Sequence, residues 1–220
     1  MFYFRINKIK IFDNREGKKF AIFGKDSAQV KLVSFVNTEE VEIPDLTEFI
    51  QTNDEAAKKD ILKAAVENVI SSRILTEIEN VKDNHSMTFG DTGYVLFQTE
   101  KIPKCFNWNL IAYESDKRHR ETGALIDDLT NSPNFSSFTN TLGAVLKNVP
   151  NPAFKAYNQI AKFAIDTISN IAKRDRDDMI GIVFMSLNRP EHYNHGERKK
   201  DDVPDLTNNM QFDYSIFGVE

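Results

Sequence analysis

Two histidines three positions apart, His192 and His195, stand in a polar stretch (189–209) that also carries five carboxylates and four basic residues. Neutral imidazoles at that spacing can share a transition metal, and Glu191 and Glu197 flank them. A catalytic zinc needs a further protein ligand, and Asp201, Asp202 or His119 would serve if the fold brought one close. Such a centre, built on His192, His195 and Asp202, would support metal-dependent hydrolysis. No HEXXH occurs, and Pro190 and Gly196 disfavour a helix across the pair, so the two rings need not point the same way.

Oxygen ligands are more plentiful. Asp13, Asp91, Glu114, Asp116, Asp127, Asp128, Asp175, Asp177, Asp178, Asp201 and Asp202 fall where strands end or loops begin. Calcium takes about six to eight oxygens from loop carboxylates and carbonyls of this kind. The five taken as candidate calcium ligands are Asp13, Glu114, Asp116, Asp177 and Asp178. Turn and cap chemistry accounts for the same residue types, and no EF-hand loop can be written in the chain. The nucleophile elbow, the phosphate loop and the dinucleotide turn are also missing, so the chain leans away from catalysis and toward binding.

These side chains need a frame to hold them. At 220 residues with 40% hydrophobic and 28% charged side chains, the chain can bury a core of ordinary size. Seventeen phenylalanines favour aromatic-filled strands. A formal charge of -5 argues against general nucleic-acid binding, although Lys117 to Arg120 and Arg198 to Lys200 make small basic clusters. One cysteine, Cys105, excludes an internal disulfide and reads as an apolar filler. With no signal-like apolar stretch and no membrane-length apolar window, the expected location is cytoplasmic.

Hydrophobic periodicity supplies the elements. Phe2, Phe4 and Ile6 share one parity and Ile9 and Ile11 the other, which predicts a strand with a bulge near Asn7 and Lys8. A turn at 13–19 and strands at 20–23 and 29–36 follow. The three-and-four spacing of apolar residues from Ala57 to Ile78 predicts a long helix, and a second helical pair is broken near Pro150 and Pro152. Strands at 90–99 and 105–114 are separated by Ile102, Pro103 and Lys104, closely enough for a hairpin. Further strands are expected at 180–187 and 210–217, with 189–209 as a long loop between them.

The run INKIKIFDN (6–14) with YESDKRHRETGALIDDL (113–129) resembles the loops of C2-type β-sandwiches. In that family an aspartate on a first loop and a D-x-D pair on a later one bind calcium at one end. The resemblance implies the same for Asp13, with Glu114 and Asp116 in the place of the pair. The expected fold is therefore mainly β or α+β: an antiparallel β-sandwich forming a single domain over 1–220, with helical insertions at about 53–81 and 135–174. The expected function is a binding or assembly module whose acidic and polar loops meet a protein partner or an anionic surface, with calcium as the candidate cofactor. One alternative is the hydrolase described above. Another is a subunit of a larger assembly in which 211–217 is an edge strand that pairs with another chain.

Overall fold

The computed structural model describes residues 1–15, 27–38, 46–71, 74–114, 127–147, 152–174, 179–189 and 196–219. Their strands form two antiparallel sheets. The first, called the open sheet here, is built on β1 (Phe2–Ile11), which pairs on one side with β4 (His85–Thr88) and β5 (Tyr94–Thr99). On its other side lies β9 (Met210–Gly218), followed by β8 (Gly196–Pro204). The second, the middle sheet, has the order β3 (Ile74–Val81), β2 (Ala28–Thr38), β6 (Cys105–Glu114), β7 (Met179–Asn188).

Alternation along β2 and β6 gives the middle sheet two apolar faces. Val30, Leu32, Val36, Phe106, Trp108 and Leu110 turn toward the open sheet, where they meet Phe2, Phe4, Ile6, Phe212 and Ile216. The rings of Phe4 and Phe212 both lie 5.0 Å from Trp108, so this indole fills the space between the sheets. Its Nε1–H donates to Ser34 Oγ at 2.9 Å, which satisfies the one polar atom of the ring inside the core. Val33, Phe35, Ile111 and Tyr113 turn the other way and pack on a helical layer.

That layer consists of α1 (Thr47–Gln51), α2 (Glu55–Ser71), α3 (Phe135–Lys147) and α4 (Pro152–Arg174), with Pro152 at the first helical position, where its missing N–H costs nothing. Phe138 and Phe163 stack at 4.3 Å where α3 meets α4. The result is three layers, sheet, sheet and helices, which is the expected antiparallel sandwich with two helical insertions. Burying each of these phenylalanines contributes on the order of 1.5–3 kcal/mol.

The bulge expected in β1 is present. The register with β9 slips between Ile6 and Lys8, so Phe2, Phe4, Ile6, Ile9 and Ile11 are all buried despite their change of parity. Gly93, with φ +69, fits against this bulge; a Cβ there would stand 3.0 Å from the Ile6 carbonyl oxygen.

Four local expectations are corrected. The helix foreseen over 53–81 ends at Ser71, and Ile74–Val81 is β3, paired antiparallel with β2. Ile74, Leu75 and Ile78 satisfy a helical spacing, but Ile74, Thr76 and Ile78 also alternate and are β-branched, and pairing with β2 decides between the two. β5 and β6 are not a hairpin: they lie in different sheets, and buried Pro103 and core-packed Ile102 carry the chain across the sandwich.

The stretch 189–209 is not a continuous loop, because Gly196–Pro204 is β8. Its charged side chains hide the strand from any hydrophobic pattern, and its pairing comes from the backbone of β9. The segment 211–217 is not an edge, because β9 lies between β1 and β8. A strand at 85–88, which the sequence reading did not include, completes the open sheet. The strand expected at 20–23 lies outside the described residues.

Candidate functional site

One end of the sandwich gathers segments from both sheets. Asn209, in the turn between β8 and β9, donates from Nδ2 to the carbonyl oxygens of Asp13 and Ile180, both at 2.9 Å. Its Oδ1 accepts the Asp13 N–H at 3.0 Å. Buried Asn14 reaches the Val81 carbonyl oxygen from Nδ2, and its own N–H is held by Asp83 Oδ1, both at 3.0 Å. Register brings Val81 beside Ala28, Glu114 beside Val30, and Met179 beside Tyr113. The ends of β1, β3 and β6 therefore meet the starts of β2 and β7.

The side chain that fixes this end is Asp205, 4% exposed. Its Oδ1 accepts the N–H groups of Asn209 and Met210, and its Oδ2 accepts those of Ile182 and Thr207, all at 2.9 Å. The Thr207 hydroxyl adds a fifth bond to Oδ2 at 2.6 Å. A buried carboxylate needs that many donors to offset its lost hydration. Sequence reasoning did not single out Asp205 or Asn209. The signal available was a turn composition, DLTNN at 205–209, and it does not reveal the reach of the carboxylate to β7.

On this fixed turn Leu206 is 64% exposed, with its N–H bonded to the Ile182 carbonyl oxygen at 2.9 Å. Nearby, Asp13 is exposed and its Oδ1 accepts the Arg15 N–H at 2.8 Å, the ordinary work of an aspartate in a turn. Asp13 and Glu114 thus stand at the same end of the sandwich, on different sheets. Asp116, Asp177 and Asp178 lie outside the described residues, and so do His119, His192 and His195. Among the described residues, no group of three or more His, Cys, Asp or Glu side chains is placed to hold a metal ion.

Asp202 is elsewhere. It sits in a bulge of β8 with φ 53, where its N–H donates to Asp213 Oδ1 at 2.7 Å. Lys8 Nζ stands 3.5 Å from both Asp202 Oδ1 and Asp213 Oδ2. Asp213 chiefly, with a lesser contribution from Asp202, holds the Lys8 ammonium above its usual pKa of 10.5, against an opposing effect of burial that ranks between the two. Asp202 is therefore engaged as the anion of an ion pair on the outer face of the open sheet.

That face continues with Arg5. Its guanidinium donates to Ser215 Oγ, to the Thr92 carbonyl oxygen and to Glu197, and lies over the Tyr3 ring, which stacks on Phe217 at 4.9 Å. Arg198, Lys199 and Lys200, one of the basic clusters read from sequence, lie along β8, where Lys199 pairs with Glu197 at 3.4 Å. The acids interleaved there leave little free positive potential.

On the helix-facing side of the middle sheet, register places Lys31 between Glu77 on β3 and Tyr113 on β6. Burial pushes the Lys31 pKa down, opposed by the charge of Glu77. Burial pushes the Tyr113 phenol up strongly, and Glu77 adds to the shift. Tyr113 Oη is buried without a hydrogen-bond partner among the described residues.

No family model, curated protein or solved structure matches the chain. No helix among the described residues is long and apolar enough to cross a membrane.

Proposed function

We propose that the protein is a binding or assembly module that presents the Asp205 end of its sandwich to a partner. The observation that carries this reading is Leu206. It is a large apolar side chain held 64% exposed on a turn that five hydrogen bonds to Asp205 make rigid. A rigid apolar tip loses little entropy when it docks, and exposed Asp13, bonded to Asn209 of the same turn, supplies polar contacts at the rim. In its calcium-dependent form, Asp13 and Glu114 hold the ion together with Asp116, Asp177 and Asp178, and the docked surface is a protein or an anionic membrane. The strand and loop likeness to C2-type sandwiches supports that form, and a cytoplasmic location fits it.

Co-sedimentation with phosphatidylserine vesicles, with and without calcium, tests the reading together with thermal melts in calcium, zinc or chelator. Calcium-dependent pelleting that is lost in Leu206→Asp and Asp13→Asn, with a calcium-induced rise in Tm, is the expected result. Pelleting that Leu206→Asp leaves unchanged would remove the tip from the binding surface. Melts that neither ion moves would remove the cation.

A further inference from the structure

The helix-facing side of the middle sheet changes character along its length. Register sets Val33, Ile111 and Ile182 side by side across β2, β6 and β7, and all three pack on the helices. The next two rows are Phe35, Asn109, Phe184 and Asn37, Asn107, Ser186. On β2 both rows are still covered, since Phe35 and Asn37 are fully buried and α4 packs over this strand. On β6 and β7 the cover ends: Asn107 and Asn109 are partly exposed, Ser186 is exposed, and Phe184 is 50% exposed.

This corner, where β6 begins and β7 ends, lies at the opposite end of the sandwich from Asp205, and carboxamides form its floor. Asn37 Nδ2 donates to Asn158 Oδ1 of α4 at 2.8 Å, which fixes Asn158 at the rim. Asn37 Oδ1 is buried and accepts nothing among the described residues, an arrangement that costs stability. Ser186 Oγ donates to Asn107 Oδ1 at 2.6 Å. The Nδ2 groups of Asn107 and Asn158 and the whole carboxamide of Asn109 have no hydrogen-bond partner among the described residues. Neither row holds a charged side chain, although 28% of the chain is charged.

We propose that this corner binds a neutral saccharide. A sugar hydroxyl both donates and accepts, and so does a carboxamide, so Asn107, Asn109 and Asn158 can exchange bonds with hydroxyls without any charge being buried. Phe184 presents a ring on which the apolar C–H face of a pyranose packs, and the amides beside it set the orientation of the sugar. A phosphate or carboxylate would find no compensating charge on this floor. Lys155 and Lys162, three before and four after Asn158, are exposed on the same flank of α4, so an anionic ligand would use a different set of contacts. The proposal does not depend on the reading of the Asp205 end.

One ring and three amides make a weak site, with a Kd on the order of 1 mM. Titrating the isotope-labelled whole chain with cellotriose, maltotriose and chitotriose should give, for at least one of them, saturable NMR shifts at the Asn107, Asn109 and Asn158 side-chain amides and the Phe184 ring. Phe184→Ala and Asn109→Ala should each weaken that binding about tenfold. Asn109→Ala should leave Tm little changed, because its carboxamide has no hydrogen bond to lose among the described residues. Lys155→Glu should leave sugar binding unchanged. AMP is the anionic probe: if it binds more tightly than every trisaccharide and Lys155→Glu releases it, the ligand is a nucleotide and the proposal is overturned. No saturable shift at these side chains with any of the sugars, or sugar binding that survives both Phe184→Ala and Asn109→Ala, would overturn it as well.

Discussion

Gly181 and Asp205 stand so close that a Cβ on Gly181 would lie 3.2 Å from Asp205 Oδ2 and 3.0 Å from Met210 Cβ. The carboxylate reaches the Ile182 N–H only because its neighbour on β7 has no side chain. Gly181→Ala should therefore destabilise the fold by about 1–3 kcal/mol, the usual cost of overpacking a filled site. Urea titration reads this directly, and an unchanged midpoint would mean that the turn yields at no cost.

Removing the carboxylate is the harsher change. Asp205→Ala leaves the N–H groups of Ile182, Thr207, Asn209 and Met210 without their acceptor in a buried turn. The expected loss is about 3–5 kcal/mol. Asp13→Ala, at an exposed position with one local bond, should cost within about 0.5–1 kcal/mol. Comparable losses at the two positions would contradict the assignment of Asp205 as the fixing residue.

Trp108 is the chain's single tryptophan, so its emission reports on the space between the sheets. Ser34→Ala removes the acceptor of its Nε1–H and leaves that donor buried. Stability should fall by about 1–3 kcal/mol, and the emission should shift to the blue as the indole loses its polar contact. A spectrum and a melting curve both unchanged would show that another acceptor replaces Ser34.

Tyr113 should govern one part of the alkaline response. Its folded pKa is raised above the ordinary 10.0, so above that pH the unfolded chain releases a proton that the folded chain retains. The folded state binds more protons there, and stability falls as pH rises. Lys8 acts in the same sense above 10.5, whereas Lys31, with its lowered pKa, adds stability as pH climbs toward 10.5. The difference between wild type and Tyr113→Phe isolates the phenol: constant below about pH 9, then increasingly in favour of the phenylalanine variant. A difference that stays constant to pH 11 would mean the phenol ionises equally in both states. At neutral pH the variant should be as stable as wild type or slightly more so, because Oη has no hydrogen-bond partner among the described residues to lose.

Elements whose own side chains alternate were legible in the sequence. β1, including its bulge, β6 and β7 carry a two-residue period that the core requires, and α4 carries a clear helical face. β3 was misread because Ile74, Leu75 and Ile78 fit two periods at once, and only β2 chooses between them. β8 was invisible because its side chains are charged and its order comes from hydrogen bonds to β9. The site was less legible still. Asp13 and Glu114 stand at one end of the sandwich and Asp202 lies 3.5 Å from Lys8 on the open sheet, and the residue that fixes the end, Asp205, works through a partner 23 positions away.

β1 supplies the open sheet with most of its buried phenylalanine and isoleucine, and its longest pairing is with β9. During synthesis, residues 2–11 leave the ribosome long before residues 210–218 exist. Until then Phe2, Phe4 and Ile6 have no completed sheet to enter, and the face of β6 that holds Trp108 has no lid. The sandwich therefore closes only after translation has passed residue 218, which makes this chain a slow folder and a candidate client for chaperones that shield aromatic strands.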